Sequence, residues 1–198
     1  MDMTGEALIA APRERGYEAL NDLDILKRSI PGCEEIEKTS DTEMTAKVTI
    51  KIGPVKARFS GQVTLSDLNP PEGYTISGQG KGGAAGFAKG GAKVRLEASG
   101  SDTVLHYEVQ AEVGGKLAQL GGRLIDGTAK RLAEQFFTSF GAIVGAPDND
   151  DKAGGTEASS ATGTGHNRQS GSRLRWMGWG AAVVVVAAIA ALILVLTR

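Results

Sequence analysis

Over much of the chain, apolar and polar residues take turns with a period of two. Ala46, Val48, Ile50 and Ile52 alternate with Thr45, Lys47, Thr49 and Lys51. After Gly53-Pro54, Val55, Ala57, Phe59, Gly61, Val63 and Leu65 alternate with Lys56, Arg58, Ser60, Gln62, Thr64 and Ser66. Asn69-Pro70-Pro71-Glu72-Gly73 marks a turn, and Tyr74 to Lys81 follows as a further strand. The alternation resumes in Ala92, Val94, Leu96 and Ala98, breaks at Gly100-Ser101-Asp102, and returns in Leu105, Tyr107, Val109, Ala111 and Val113. Such spacing gives each strand one wet and one buried face, as in an antiparallel sheet. Upstream, Met3 to Ile9 reads as a first strand. Ala11-Pro12 opens a short helix to about Asn21, and a second helix, Leu23 to Ile30, stops at Pro31-Gly32.

The period changes at Gly114. From there to Val144, Leu117, Leu120, Leu124, Leu132, Phe136, Phe140, Ile143 and Val144 recur at helical steps, with Lys116, Arg123, Asp126, Lys130, Arg131 and Glu134 on the polar side. One long amphipathic helix must bury its stripe, and the concave face of the sheet is the surface available. The order of strand, two small helices, a run of strands and a long helix is an α+β pattern. Gly114, Gly115, Gly121, Gly122 and Gly127 crowd the first half of that helix, although each costs about 1 kcal/mol against alanine. Either the backbone approaches the sheet there or room is left, so this half is expected to floor a cavity. Leu132 to Val144 is expected to be the packing anchor. Inward residues of this kind otherwise serve as plain core.

After Val144 the chain changes character. Residues 146–175 are rich in Gly, Ser, Thr, Ala and Asp and predict a flexible linker. Gly180 to Leu196 has no polar side chain, so residues 176–198 predict a single transmembrane helix. Arg168, Arg173 and Arg175 precede the stretch and only Arg198 follows it, which predicts a tail anchor with the N-terminal domain, residues 1–145, facing the cytoplasm. The N-terminus lacks the basic region of a signal peptide.

Composition narrows the chemistry. A net charge of −1 without a basic stripe argues against nucleic acid. One cysteine and two histidines leave little for a metal or a catalytic triad. Cys33 is followed by Glu34 and Glu35, which do not activate a thiol. Asp22, Asp24, Glu34 and Glu35 read as surface acids, and His106 lies on a polar strand face with Glu108 and Glu112. Gly78-Gln79-Gly80-Lys81-Gly82-Gly83 matches a dinucleotide-binding string, but a strand rather than a helix follows it, so a wide hairpin is the better reading. Phe87 stands in that hairpin as an apolar tip, suited to a membrane, a partner or a lid.

Several stretches together resemble one family. These are Ala11-Pro12, Ile30-Pro31-Gly32-Cys33, Gly53-Pro54-Val55-Lys56-Ala57-Arg58-Phe59-Ser60-Gly61, Gly78 to Gly83, Val113 to Gly121, and Gln135-Phe136-Phe137. In this order they are similar to the CoxG family of carbon monoxide dehydrogenase proteins over residues 1–145. The chain departs from that pattern at Gly16-Tyr17 and Asn21-Asp22-Leu23, where a tryptophan and Asp-Pro are usual. The resemblance implies a START-like, helix-grip fold, a curved antiparallel sheet of about seven strands around a long C-terminal helix. It also implies a non-enzymatic accessory to a molybdenum-containing carbon monoxide dehydrogenase or related hydroxylase. Such a protein would recruit that enzyme to the cytoplasmic membrane and bind a lipophilic small molecule, a menaquinone or ubiquinone. The expected cavity residues are Phe59, Val63, Ile76, Phe87, Leu96, Tyr107, Leu117, Leu120, Gly121 and Leu124. Two other readings stand beside this one: a docking adaptor with a filled core and no ligand, and a small-molecule enzyme, which would require an inward-facing acid or base.

Overall fold

The computed structural model describes residues 2–146. Seven strands form one antiparallel sheet: β1 (Asp2–Ile9), β2 (Cys33–Lys38), β3 (Glu43–Ile52), β4 (Val55–Asn69), β5 (Gly73–Lys81), β6 (Phe87–Ser99) and β7 (Asp102–Gly114). Their spatial order is β1-β7-β6-β5-β4-β3-β2. After β1 come α1 (Arg13–Ala19) and α2 (Leu23–Ser29), and α3 (Gly122–Val144) closes the fold. This is the helix-grip arrangement that the alternation and the resemblance predict.

The alternation sets the two faces. Met44, Val48, Ile50, Ile52, Phe59, Val63, Leu65, Ile76, Val94, Leu96, Leu105 and Val109 turn inward and are buried. The outer face is wet and charged. There Arg58 pairs with Glu34, Lys47 with Glu35, and Lys89 with Glu112 at 2.8 Å. The Lys47 ammonium, by hydrogen bond and by charge, holds the Glu35 carboxyl below its usual range.

The short helices have local causes. Pro12 stands at the N-cap of α1. Asp22 caps α2, its carboxylate accepting from the N–H groups of Asp24 and Ile25 at 2.8 and 3.0 Å. α3 packs against α2 and touches α1, β1 and β3. Its buried face is Ile125, Thr128, Ala129, Leu132, Ala133, Phe136, Phe140 and Val144. At its end, Arg15 of α1 donates from Nε to the Val144 carbonyl at 3.3 Å.

Two expectations are corrected here. The long helix begins at Gly122, not Gly114: Gly114 still belongs to β7, and Gly115–Leu120 is a 3-10 turn. Gly121, at a φ of 86°, separates the two, so the small residues here break the helix rather than extend it. The second correction concerns the membrane. Among the described residues no helix is long and apolar enough to cross a bilayer. α3 has 23 residues, but Arg123, Asp126, Lys130, Arg131 and Glu134 would have to enter the hydrocarbon. The stretch Gly180 to Leu196 lies outside the described residues, as does nearly all of the expected linker. The transmembrane helix, the tail anchor, the bilayer as partner, the single-pass location with the domain facing the cytoplasm, and recruitment of an enzyme to the membrane therefore have no element among the described residues to carry them, and they are withdrawn.

Candidate functional site

The ten expected cavity residues divide into two groups. Phe59, Val63, Ile76, Leu96 and Leu117 are buried within one continuous core. Tyr107 is half-buried against it, its ring stacked on Phe137 at 5.4 Å between centroids. The other four gather where the grip opens. Leu120 is half-buried, Gly121 is exposed, and Phe87 and Leu124 are 39% and 40% exposed.

The glycines that suggested spare room are accounted for. A side chain at Gly82 would overlap the Phe59 ring, and one at Gly114 would overlap the Phe87 ring. A side chain at Gly5 would meet the Tyr107 hydroxyl. Gly86, at a φ of 123°, lies against the Gly114 carbonyl, and Gly115 against the Gly86 backbone, so neither position admits a side chain. Gly121, Gly122 and Gly127 have nothing within 4 Å, yet all three are exposed and look outward. The gaps are filled by aromatic rings and backbone, or face solvent.

Among the described residues the interior holds few polar groups. Among the described residues the buried polar positions other than tyrosine are Ser29, Thr103 and Thr128. Each hydroxyl donates to a carbonyl, of Ile25, Ala11 and Leu124 respectively, at 2.7–2.8 Å. Burial pushes the Tyr74 hydroxyl far above its usual range, and it raises Tyr17 and Tyr107 as well. Burial likewise raises the Cys33 thiol; Lys27 opposes this and Glu34 adds to it. Such a thiol is not a nucleophile. His106 sits 3.8 Å from Glu6 and 3.7 Å from Glu97, neighbours supplied by the strand pairing rather than the Glu108 and Glu112 suggested by alternation. Among the described residues no group of three or more His, Cys, Asp or Glu could hold a metal.

A candidate for contact with a partner is the lip of the grip. It is built from the β3–β4 turn at Gly53-Pro54, the 3-10 turn Gly83–Ala85, Phe87, the 3-10 turn Gly115–Leu120 and the first turn of α3. Gly53 lies against the Leu124 side chain, and Phe87 pairs in register with Lys81 and Gly114. The Gly82–Gly86 loop is tied by a bond from the Gly82 N–H to the Gly86 carbonyl at 2.8 Å. Lys51, Lys56, Lys81, Lys116 and Arg123 stand on these same elements. All are exposed, and none forms an ion pair among the described residues. α3 has no acidic residue in its first turn, so its positive end adds to theirs. The lip thus carries two exposed apolar side chains, Phe87 and Leu124, on elements that also carry bases.

The opposite end is acidic, and no motif in the sequence singled it out. A pocket of 560 Å³ opens there between α1 and the end of β4, with Tyr17, Leu65, Leu68, Pro70 and Pro71 in its wall. Its signal in the sequence was weak: Tyr17 in α1, and a leucine at position 68 just after the alternation lapses.

Comparison with known proteins agrees with the fold. Residues 5–145 match the family described as CoxG of carbon monoxide dehydrogenase. A conserved protein from Geobacillus kaustophilus is 30% identical, with a TM-score of 0.69, over 73% of this chain and 95% of that one. A protein from Thermus thermophilus is 18% identical, with a TM-score of 0.57, over 73% of this chain and 97% of its own. The Zhui aromatase/cyclase of a Streptomyces species is 11% identical, with a TM-score of 0.53, over 73% and 93%. At such low identities the last two show the fold alone. No curated protein sequence matches. With a seven-stranded grip around α3 and a family match over most of its length, the chain belongs to the CoxG family of carbon monoxide dehydrogenase proteins and has its START-like fold.

Proposed function

We propose that the domain is a non-catalytic docking adaptor, with a filled core, for an enzyme of the carbon monoxide dehydrogenase type. The observation that carries this reading is the lip, whose elements carry two exposed apolar side chains, Phe87 and Leu124, and five exposed bases with no ion pair among the described residues. Large exposed apolar groups on a charged rim are what protein interfaces use as anchors. The bases select an acidic patch on the partner and speed encounter with it. The family supplies the class of partner.

A quinone carrier is the less supported reading. Phe59, Val63, Ile76, Leu96 and Leu117, which would have walled its cavity, are packed in the core.

The test uses the full chain immobilised against a purified molybdenum-containing carbon monoxide dehydrogenase. Phe87→Ser and Leu124→Ser should each weaken binding at least tenfold, about 1.4 kcal/mol. Lys116→Glu with Arg123→Glu should slow association and flatten its salt dependence. Unchanged affinity in all of these would refute docking through the lip. Separately, added menaquinone or ubiquinone should leave the melting temperature unchanged. A ligand at a hundredfold excess over its Kd would stabilise by about 2.7 kcal/mol, a shift of several degrees.

A further inference from the structure

The acid-rimmed pocket beside α1 has no role in the docking reading. Its floor is apolar, formed by Tyr17, Leu65, Leu68, Pro70 and Pro71. Leu68 is 46% exposed because β4 loses register between Ser66 and Asn69, where Asp67 takes a φ of 49°. The charged residues in the wall are Glu14, Glu18, Asp22 and Asp41, all acidic and all exposed. Two of these acids already have a base: Asp41 pairs with Lys38 at 3.2 Å, and Glu14 with Arg13 at 3.9 Å. Glu18 and Asp22 form no ion pair among the described residues. A matching occupant presents a flat or branched apolar group next to more than one cation.

The chain itself contains such a segment. Arg173-Leu174-Arg175-Trp176 alternates base and apolar residue, and Arg168 lies just upstream. The described part of the chain also ends in the right place. α3 finishes at Val144, bonded to Arg15 on the same helix that contributes Glu14, Tyr17 and Glu18, and Gly145 packs on Ala10. Residues 147–172 join this point to Arg173, and a chain of that length reaches up to about 86–94 Å. The join makes the encounter intramolecular, which raises the effective concentration of the segment to the millimolar range for short tethers.

We infer that the segment Arg173–Trp176 docks into this pocket of its own domain. Leu174 and Trp176 cover the Tyr17, Leu68 and Pro71 floor, and Arg173 and Arg175 meet Glu18 and Asp22. The tail is then held at the acidic end, away from the basic lip, which stays open to a partner.

Trp176 and Trp179 are the only tryptophans, so the full chain carries its own reporter. In a Trp179→Phe background, Trp176 fluorescence is measured with acrylamide as quencher. Docking predicts a blue-shifted emission and a several-fold smaller quenching constant than in Glu14→Lys/Glu18→Lys or Leu68→Lys, with far-UV circular dichroism unchanged. Salt at about 0.5 M should move the parent toward the variants. Equal emission and quenching in parent and variants overturns the inference, because Trp176 is then either solvated or buried elsewhere, in another copy or in lipid. A second measurement is independent of charge reversal. In a Cys33→Ser background, Leu68→Cys with Leu174→Cys should form an intramolecular disulfide under mild oxidation faster than Ser99→Cys with Leu174→Cys. Equal rates also overturn it.

Discussion

Single positions decide much of this fold, and glycines show it best. Gly86 has a left-handed φ and touches the Gly114 carbonyl. Gly86→Ala should therefore cost about 1–3 kcal/mol or more in urea unfolding. Gly127 sits on the exposed side of α3 with open space around it. Gly127→Ala should stabilise the domain by up to about 1 kcal/mol. In the sequence the two look alike, since a string records a missing side chain but not what fills its place. Tyr74 gives a pH signature. Its folded pKa lies above its unfolded one, so its contribution to stability is complete below about pH 10 and fades as pH rises further. Above about pH 10 the unfolded chain has lost this proton and the folded one has not. Stability should then fall by up to about 1.4 kcal/mol per pH unit for this residue, and Tyr74→Phe should reduce the slope.

At the scale of elements, alternation was enough to read β3, β4, β6 and β7, because each has one buried and one wet face. β2 was not picked out. Its run CEEIEK is short and mostly polar, and it lies at the sheet edge where only one partner is needed. The α3 stripe was read in the right region but in the wrong phase at its start. Counting back eight from Leu132 chooses Leu124, whereas the helix buries Ile125, seven back. Ala129 and Ala133 share that buried face, but alanine carries too little hydrophobicity to mark it in a sequence. Leu124→Ala should accordingly change stability by less than about 0.5 kcal/mol, whereas Phe136→Ala should cost about 3–5 kcal/mol. α2 depends on its cap, and Asp22→Ala should cost about 1 kcal/mol. Chemical denaturation of the three variants side by side checks the set.

For the whole molecule the informative feature is polarity along the grip. One end presents Phe87 and Leu124 among Lys51, Lys56, Lys81, Lys116 and Arg123; the other presents Glu14, Glu18, Asp22 and Asp41 around an apolar pocket. A net charge of −1 hides this, because totals carry no positions. The residues of the lip were partly legible: Phe87, Leu120, Gly121 and Leu124 were expected to line a cavity, and they lie on the elements of the lip. Their role was not, since period and composition cannot tell a wall from an edge. Hydrogen exchange of the full chain, with and without the dehydrogenase, tests docking through the lip most directly. Docking predicts slowed exchange in residues 83–87 and 115–124 with little change in β2. Unchanged exchange in both lip segments, or protection confined to the acidic end, would contradict it.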